Sequence, residues 1–271
     1  MVKGGTIRVA GTPAHAFSCC WRRCSRRFRE CARAVERATL WRTWNPGEYG
    51  ARWHDVFLAT YPIVRHPIVV FGLNPGPYGM AQTGIPFTDV LRIKTALPEL
   101  CRRLSAAGET IEVPGLAPLS LRPFLRRTFE ASAVRVYRFL ETCFGNAQKG
   151  VREVVVANPC PLLFIDPNDG ANRTPADLVR AVHARGGDGR RLRDELDRLR
   201  TENCADTLET LEPSAVILLG KDVQKALSSF IKGRCARRGL VDRVIDFEHP
   251  ARAVPKVWAD RLTAEIRRRG L

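Results

Sequence analysis

The sequence predicts an α/β protein: a three-layer sandwich with a central, mainly parallel four-stranded sheet and helices on both faces. Three observations predict it. Four short apolar runs, Ile68 to Leu73, Val151 to Asn158, Ala215 to Gly220 and Arg243 to Phe247, have the largely β-branched composition of buried strands. The stretches between them place apolar residues at helical steps, and strands that alternate with helices join through right-handed crossovers into a parallel sheet. At 271 residues and 45% hydrophobic content, the chain is long enough to bury such a core without a second domain.

Taken in order, residues 1–16 carry no periodicity and are expected to form a flexible arm, and residues 17–271 a single domain with a basic N-terminal helix at 17–40. In that helix Phe17, Trp21, Cys24, Phe28, Cys31 and Val35 recur at steps of three and four, with Arg22, Arg23, Arg26, Arg27 and Arg29 between them. The same period accounts for Cys19, Cys20, Cys24 and Cys31, which lack the paired spacing of a structural zinc site. A turn flanked by aromatics, Trp44-Asn45-Pro46-Gly47-Glu48-Tyr49, precedes a helix at 53–61 and the Ile68 strand. That strand stops at Asn74-Pro75-Gly76-Pro77, where two prolines stiffen the chain around a bare glycine; taken alone, these four residues are a tight turn. Helix follows at 89–104, then an irregular excursion to Pro123 and a helix carrying Arg126, Arg127, Arg135 and Arg138. The Val151 strand ends in Asn158-Pro159-Cys160-Pro161, repeating the device of a strand, an Asn and a proline exit. Thr174-Pro175-Ala176-Asp177 has the cap, proline and acid of a helix start. A charged helix at 193–211 leads to the third strand; Lys221 opens the next helix and is a candidate DNA contact, helix starts being good phosphate sites. The fourth strand runs into His249-Pro250, and a helix at 257–269 closes the chain.

The net charge of +16 and pI near 10.1, mostly from arginine, favour a polyanionic partner: nucleic acid first, an anionic membrane second. No apolar run approaches the roughly 20 residues of a membrane span and no signal-type segment opens the sequence. A soluble, intracellular protein is expected, nuclear in a eukaryote and cytoplasmic in a bacterium. Nine irregularly spaced cysteines fit reduced thiols rather than a disulfide framework.

In open parallel sheets, ligands sit beyond the carboxyl ends of the strands. Asn74, Asn158 and His249 each follow a strand, so two amides and an imidazole are expected along one edge. No carboxylate pair, nucleophile–base spacing or glycine-rich phosphate loop accompanies them. Hydrogen bonding, water positioning and anion stabilisation remain, which suit cleavage of an N-glycosidic bond with its oxocarbenium sugar and departing base anion. With a basic surface, this points to a base flipped out of nucleic acid.

The stretch Gly72 to Phe87, GLNPGPYGMAQTGIPF, resembles the first motif of the single-strand-selective monofunctional uracil-DNA glycosylases. Similarity continues through Asn45-Pro46, Tyr49, Ser132 to Tyr137, Asn158 to Phe164, Thr174 to Leu178 and His249-Pro250, and so covers roughly Trp41 to the C-terminus. The resemblance implies the uracil-DNA glycosylase fold and two catalytic residues: Asn74, holding the attacking water, and His249, hydrogen-bonding the base oxygen that gains charge. It implies base contacts from Phe87 by stacking, Asn158 at the Watson–Crick edge, Leu73 and Gly76 on the ledge, and Met80. At Gly76 the archetypal uracil glycosylases carry a Tyr that rejects 5-substituted pyrimidines; a Gly is expected to leave room for 5-hydroxymethyluracil. The chain departs from the family after His249-Pro250, where Ala251 to Lys256 is shorter than the usual wedge; Arg252 is the candidate intercalating residue.

A metal-free, cofactor-free monomer is therefore expected, acting on uracil and 5-modified uracil in single- and double-stranded DNA as the first step of base excision repair. No matched lysine stands ready for a lyase step. The alternatives are a relative preferring hypoxanthine or xanthine, and a silent basic DNA-binding protein on the same scaffold.

Overall fold

Each apolar run contributes a strand, and alternate side chains of each strand feed opposite faces of one sheet. The structure is a computed structural model and describes residues 11–125, 129–252 and 254–271. In chain order the strands are β1 (Arg42–Trp44), β2 (Ile68–Phe71), β3 (Val154–Ala157), β4 (Leu163–Ile165), β5 (Asn172–Arg173), β6 (Ala215–Leu219) and β7 (Val244–Phe247). The main sheet has the order β3-β2-β6-β7, and every neighbouring pair is parallel. All four carboxyl ends therefore fall on one edge.

Val69, Phe71, Val155, Val216, Leu218 and Val244 face a layer that includes Phe17, Trp21, Leu208, Leu227 and Ile231. Ile68, Val70, Val154, Ile217, Leu219 and Ile245 face the other, with Trp53, Leu100, Tyr137, Leu140 and Trp258. This period-two sorting makes the three-layer sandwich. Because Phe17 and Trp21 lie in the first layer, the basic N-terminal helix is part of the core it covers.

Several boundaries differ from the sequence expectation. The first helix begins at Pro13, with Thr12 as N-cap accepting from the His15 amide at 3.3 Å, so residues 13–16 are helical rather than arm; residues 1–10 lie outside the described residues. The helix breaks at buried Phe28 into Pro13–Arg27 and Arg29–Ala38. The arginines of its outer face are largely engaged within the protein: Arg22 pairs with Asp55, Arg23 and Arg27 with Asp206, and Arg29 with Glu48. The Val151 run starts as helix, Ala147–Glu153, because Asn146 caps it by accepting from the Lys149 amide at 2.8 Å; only the triple-valine segment extends. The helix expected to carry Arg126 and Arg127 runs Ala131–Phe144, and those two arginines lie outside the described residues. A second, antiparallel sheet of order β1-β4-β5 has strands of three, three and two residues, too short to leave a pattern in the sequence. Its β5 returns toward the Asn74 turn.

After that turn the chain makes the short helix Met80–Thr83 and stops at Gly84, whose φ of +71° only glycine adopts without strain. A Cβ there would stand 2.5 Å from the Gly50 Cα and 2.5 Å from its carbonyl oxygen. Backbone strain and overpacking add, so Gly84→Ala is expected to destabilise the fold by about 2–5 kcal/mol in denaturant unfolding. A loss within 0.5 kcal/mol of zero would refute the close contact.

No helix among the described residues is long and apolar enough to cross a membrane. All nine cysteines are free thiols.

Candidate active site

Parallel strands deliver Asn158, Asn74, Lys221 and His249 to the same edge, just beyond β3, β2, β6 and β7 respectively. Neighbouring strands are about 4.8 Å apart, so the edge spans about 14 Å from β3 to β7, enough for one nucleoside.

Asn74 is half-buried at the end of β2. Its Nδ2 donates to the Arg173 carbonyl of β5 at 3.3 Å and to the Pro75 carbonyl at 3.4 Å, while Asn172 Nδ2 donates to Pro75 O at 3.4 Å. Among the described residues no protein group bonds its Oδ1, which leaves an oriented acceptor for a water proton. The small sheet thus fixes the amide. An ion pair from Arg173 to Asp166 at 3.0 Å in turn fixes β5. Neither contact was visible in the sequence, since β5 is only two residues long.

Two strand endings meet at Gly72. A Cβ on Gly72 would lie 2.5 Å from the Phe87 Cζ and 2.8 Å from the Asn158 Oδ1, so bare backbone here lets a ring and an amide share one corner. Phe87 is 7% exposed and adopts a φ of +52°, a conformation that a bulky residue holds at a cost of about 1–3 kcal/mol. Asn158 is 2% exposed, its Nδ2 faces the Met80 sulfur at 3.2 Å, and its Oδ1 is buried without a partner. A thioether is a weak acceptor, so this amide keeps hydrogen-bonding capacity that the described protein groups do not fill. Asn203 holds the turn in place by donating to the Pro159 carbonyl at 2.8 Å. Met80 is buried beside this amide, and Leu73 is partly buried against the Phe71 side of the sheet.

His249 follows β7 and is half-buried. Its Nδ1 accepts from the Ala251 amide at 3.1 Å, so the neutral ring carries its proton on Nε2 and is a donor there. Gly220, with φ of +89°, lets the ring lie against the end of β6: a Cβ there would stand 3.2 Å from the ring. Gln224 ties the two strand ends by donating to Leu218 O at 3.1 Å and Phe247 O at 2.7 Å. Lys221 is exposed at the first position of the helix Lys221–Ala236. Arg252 ends the short turn Pro250–Arg252, and its side chain lies outside the described residues.

The space at Gly76 is not empty, as the sequence led us to expect. The carboxyl of Glu130 fills it, with Cδ and Oε1 3.0 Å from where a Gly76 Cβ would stand, and it also occupies the side-chain space of Gly79. Burial, reinforced by the nearby Asp89 charge and opposed by a hydrogen bond from Ser132, pushes the carboxyl up to about 7. Sequence reasoning passed over Glu130 because, within the helix expected to carry Arg126 to Arg138, one acid reads as an ordinary solvated charge; only the fold buries it.

One grouping among the described residues has metal-ligand character: Cys20, Cys24 and Asp206, whose ligand atoms lie within 4.8 Å of one another. It belongs to the interface of the helices Pro13–Arg27 and Arg190–Leu211, and Asp206 is already paired with Arg27 at 2.9 Å.

The chain is 36% identical over 138 residues to the single-strand selective monofunctional uracil-DNA glycosylase of Rattus norvegicus, covering 50% of this chain and 46% of that protein. The protein of the same description from Bos taurus is 33% identical over 138 residues, 50% of this chain and 47% of the relative. The chain thus spans about half the length of the curated relatives it matches. The crystal structure of wild-type SMUG2 from Pedobacter heparinus superposes with a TM-score of 0.58 over 85% of this chain and 88% of that one, at 22% identity, which speaks to the fold. The sequence profile of the uracil DNA glycosylase superfamily matches residues 59–261, from the helix before β2 to the last helix, and on that match the chain belongs to the uracil DNA glycosylase superfamily.

Proposed function

We propose that this protein is a monofunctional DNA glycosylase that hydrolyses the N-glycosidic bond of uracil and 5-modified uracil in single- and double-stranded DNA. The observation that carries it is the corner at Gly72, where a strained aromatic ring and an unsatisfied buried amide face the same small space, next to the anchored Asn74.

The flipped base stacks on Phe87, and the Asn158 amide pairs with its Watson–Crick edge, taking N3 and O4. His249 Nε2–H donates to O2. With O2, N3 and O4 assigned, the C5 edge of the ring turns toward Gly76. The C1′–N1 bond breaks heterolytically, its electron pair passing to the base, where charge collects on O2 and is stabilised by the imidazole donor. Asn74 Oδ1 accepts a hydrogen bond from a water whose oxygen then bonds to C1′; the water gives up its proton to solvent, and the departing base anion takes a proton from solvent to leave as free uracil. An amide orients this water without deprotonating it, which suffices because the sugar is already an oxocarbenium electrophile. Exposed Lys221 is the phosphate contact beside this edge, Arg252 is the candidate intercalating residue, and the charge of +16 favours the encounter with DNA.

Incubation with single- and double-stranded oligonucleotides bearing one uracil is expected to release free uracil and leave alkali-labile abasic sites, without strand cleavage before alkali. A panel including hypoxanthine and xanthine sets the base preference. Inactivity on uracil in both forms of DNA would refute the proposal.

A further inference from the structure

Glu130 is an expensive residue to keep at this position. Its backbone amide donates to Asp89 Oδ2 at 2.9 Å, and Asp89, fully buried, caps the helix Val90–Ala96 by accepting from the Arg92 amide at 2.7 Å. Ser132 Oγ donates to Glu130 Oε1 in a short hydrogen bond. The backbone and one carboxyl oxygen are thus fixed, while the other, Oε2, is buried and without a partner. A buried acceptor left unsatisfied is a standing penalty unless something binds it. If support of the turn were its whole task, an apolar side chain of similar volume would serve better. The carboxyl lies on Gly76 and Gly79, in the turn that joins Asn74 to Met80, and Met80 in turn touches the Asn158 amide.

We propose that Glu130 determines specificity at the 5-position of the base: its carboxyl stands in the side-chain space of Gly76 and Gly79 and offers a hydrogen-bonding oxygen to a polar 5-substituent. The inference rests on the uracil reading above, which directs the C5 edge toward Gly76. A 5-hydroxymethyl group carries an O–H that pairs with Oε2, filling the vacant capacity. A 5-methyl group, as in thymine, has no such hydrogen and would cover the oxygen without satisfying it, so normal DNA is disfavoured by the same atom. Sites built to bond a substrate hydroxyl reject the analogue lacking it far more strongly than apolar pockets do. A carboxyl that titrates near neutrality serves in either form: ionised, it accepts from the hydroxymethyl group; neutral, it also donates to that group's oxygen.

The test is single-turnover excision from single-stranded oligonucleotides carrying uracil, 5-hydroxymethyluracil or thymine, by the wild-type chain, Glu130→Gln and Glu130→Ala. The wild type is expected to release uracil and 5-hydroxymethyluracil but not thymine. Glu130→Ala is expected to lower the ratio of 5-hydroxymethyluracil to uracil excision by about tenfold or more, and Glu130→Gln, which keeps a hydrogen-bonding end group of the same size, to hold it within about threefold. A Glu130→Ala variant that slows both bases equally, or a wild type that removes uracil but not 5-hydroxymethyluracil, overturns the role of Glu130 and leaves the uracil reading standing. A wild type that releases neither base overturns both.

Discussion

Asn74→Ala is expected to slow base release by about 10²–10³-fold while the affinity for uracil-containing DNA changes by no more than a few-fold, because the amide acts on the water rather than on the base. The anchoring of the residue supports this split. Its Nδ2 is spent on backbone carbonyls of Arg173 and Pro75, so the side chain has one orientation and its Oδ1 one direction. Pro75 on the next position removes a backbone donor and fixes φ, so truncation does not let the turn relax into the vacated space. A kcat loss with unchanged KM is the signature of a group that matters only once the glycosidic bond is opening. Equal losses in binding and rate would instead mean that Asn74 contacts the base, and an unchanged rate would remove it from the reaction.

The main sheet, and the gathering of Asn74, Asn158 and His249 at one edge of it, were legible in the sequence for a physical reason. A strand buried on both faces must be almost wholly apolar, so a polar Asn followed by Pro at its end stands out, and in a parallel sheet all such ends share one side. What stayed hidden depended on contacts between distant segments. The two residues of β5 carry no periodicity, yet they hold Asn74. Glu130 is one acid among many until the turn at Gly76 and Gly79 covers it. The arginines of the basic helix could not be assigned from the sequence, which shows charges and not their partners; Asp55, Asp206 and Glu48 engage four of them. Gly72 was read as part of a motif, but its reason is three-dimensional.

That reason supports the last prediction. Gly72 lies beyond β2 with its amide bonded to the Ala157 carbonyl at 2.9 Å, and its backbone is not in the left-handed region, so alanine there meets no conformational penalty of its own. The atoms nearest the added methyl belong to Phe87 and Asn158. Neither retreats easily: Phe87 is already strained and sits in the core, and the Asn158 turn is tied to Asn203. Gly72→Ala is therefore expected to push ring and amide out of register with the base and lower kcat/KM for uracil by about 10²-fold, the usual effect of a 1 Å misplacement. Stability should fall by only about 1–3 kcal/mol, the cost of overpacking one methyl, leaving a folded protein at room temperature. Gly233→Ala, where an added Cβ meets nothing within 4 Å, is the matched control and should leave both quantities near wild type. Unimpaired uracil release by a folded Gly72→Ala protein would show that the corner between Phe87 and Asn158 is not where the base sits, because no base fits there alongside the methyl.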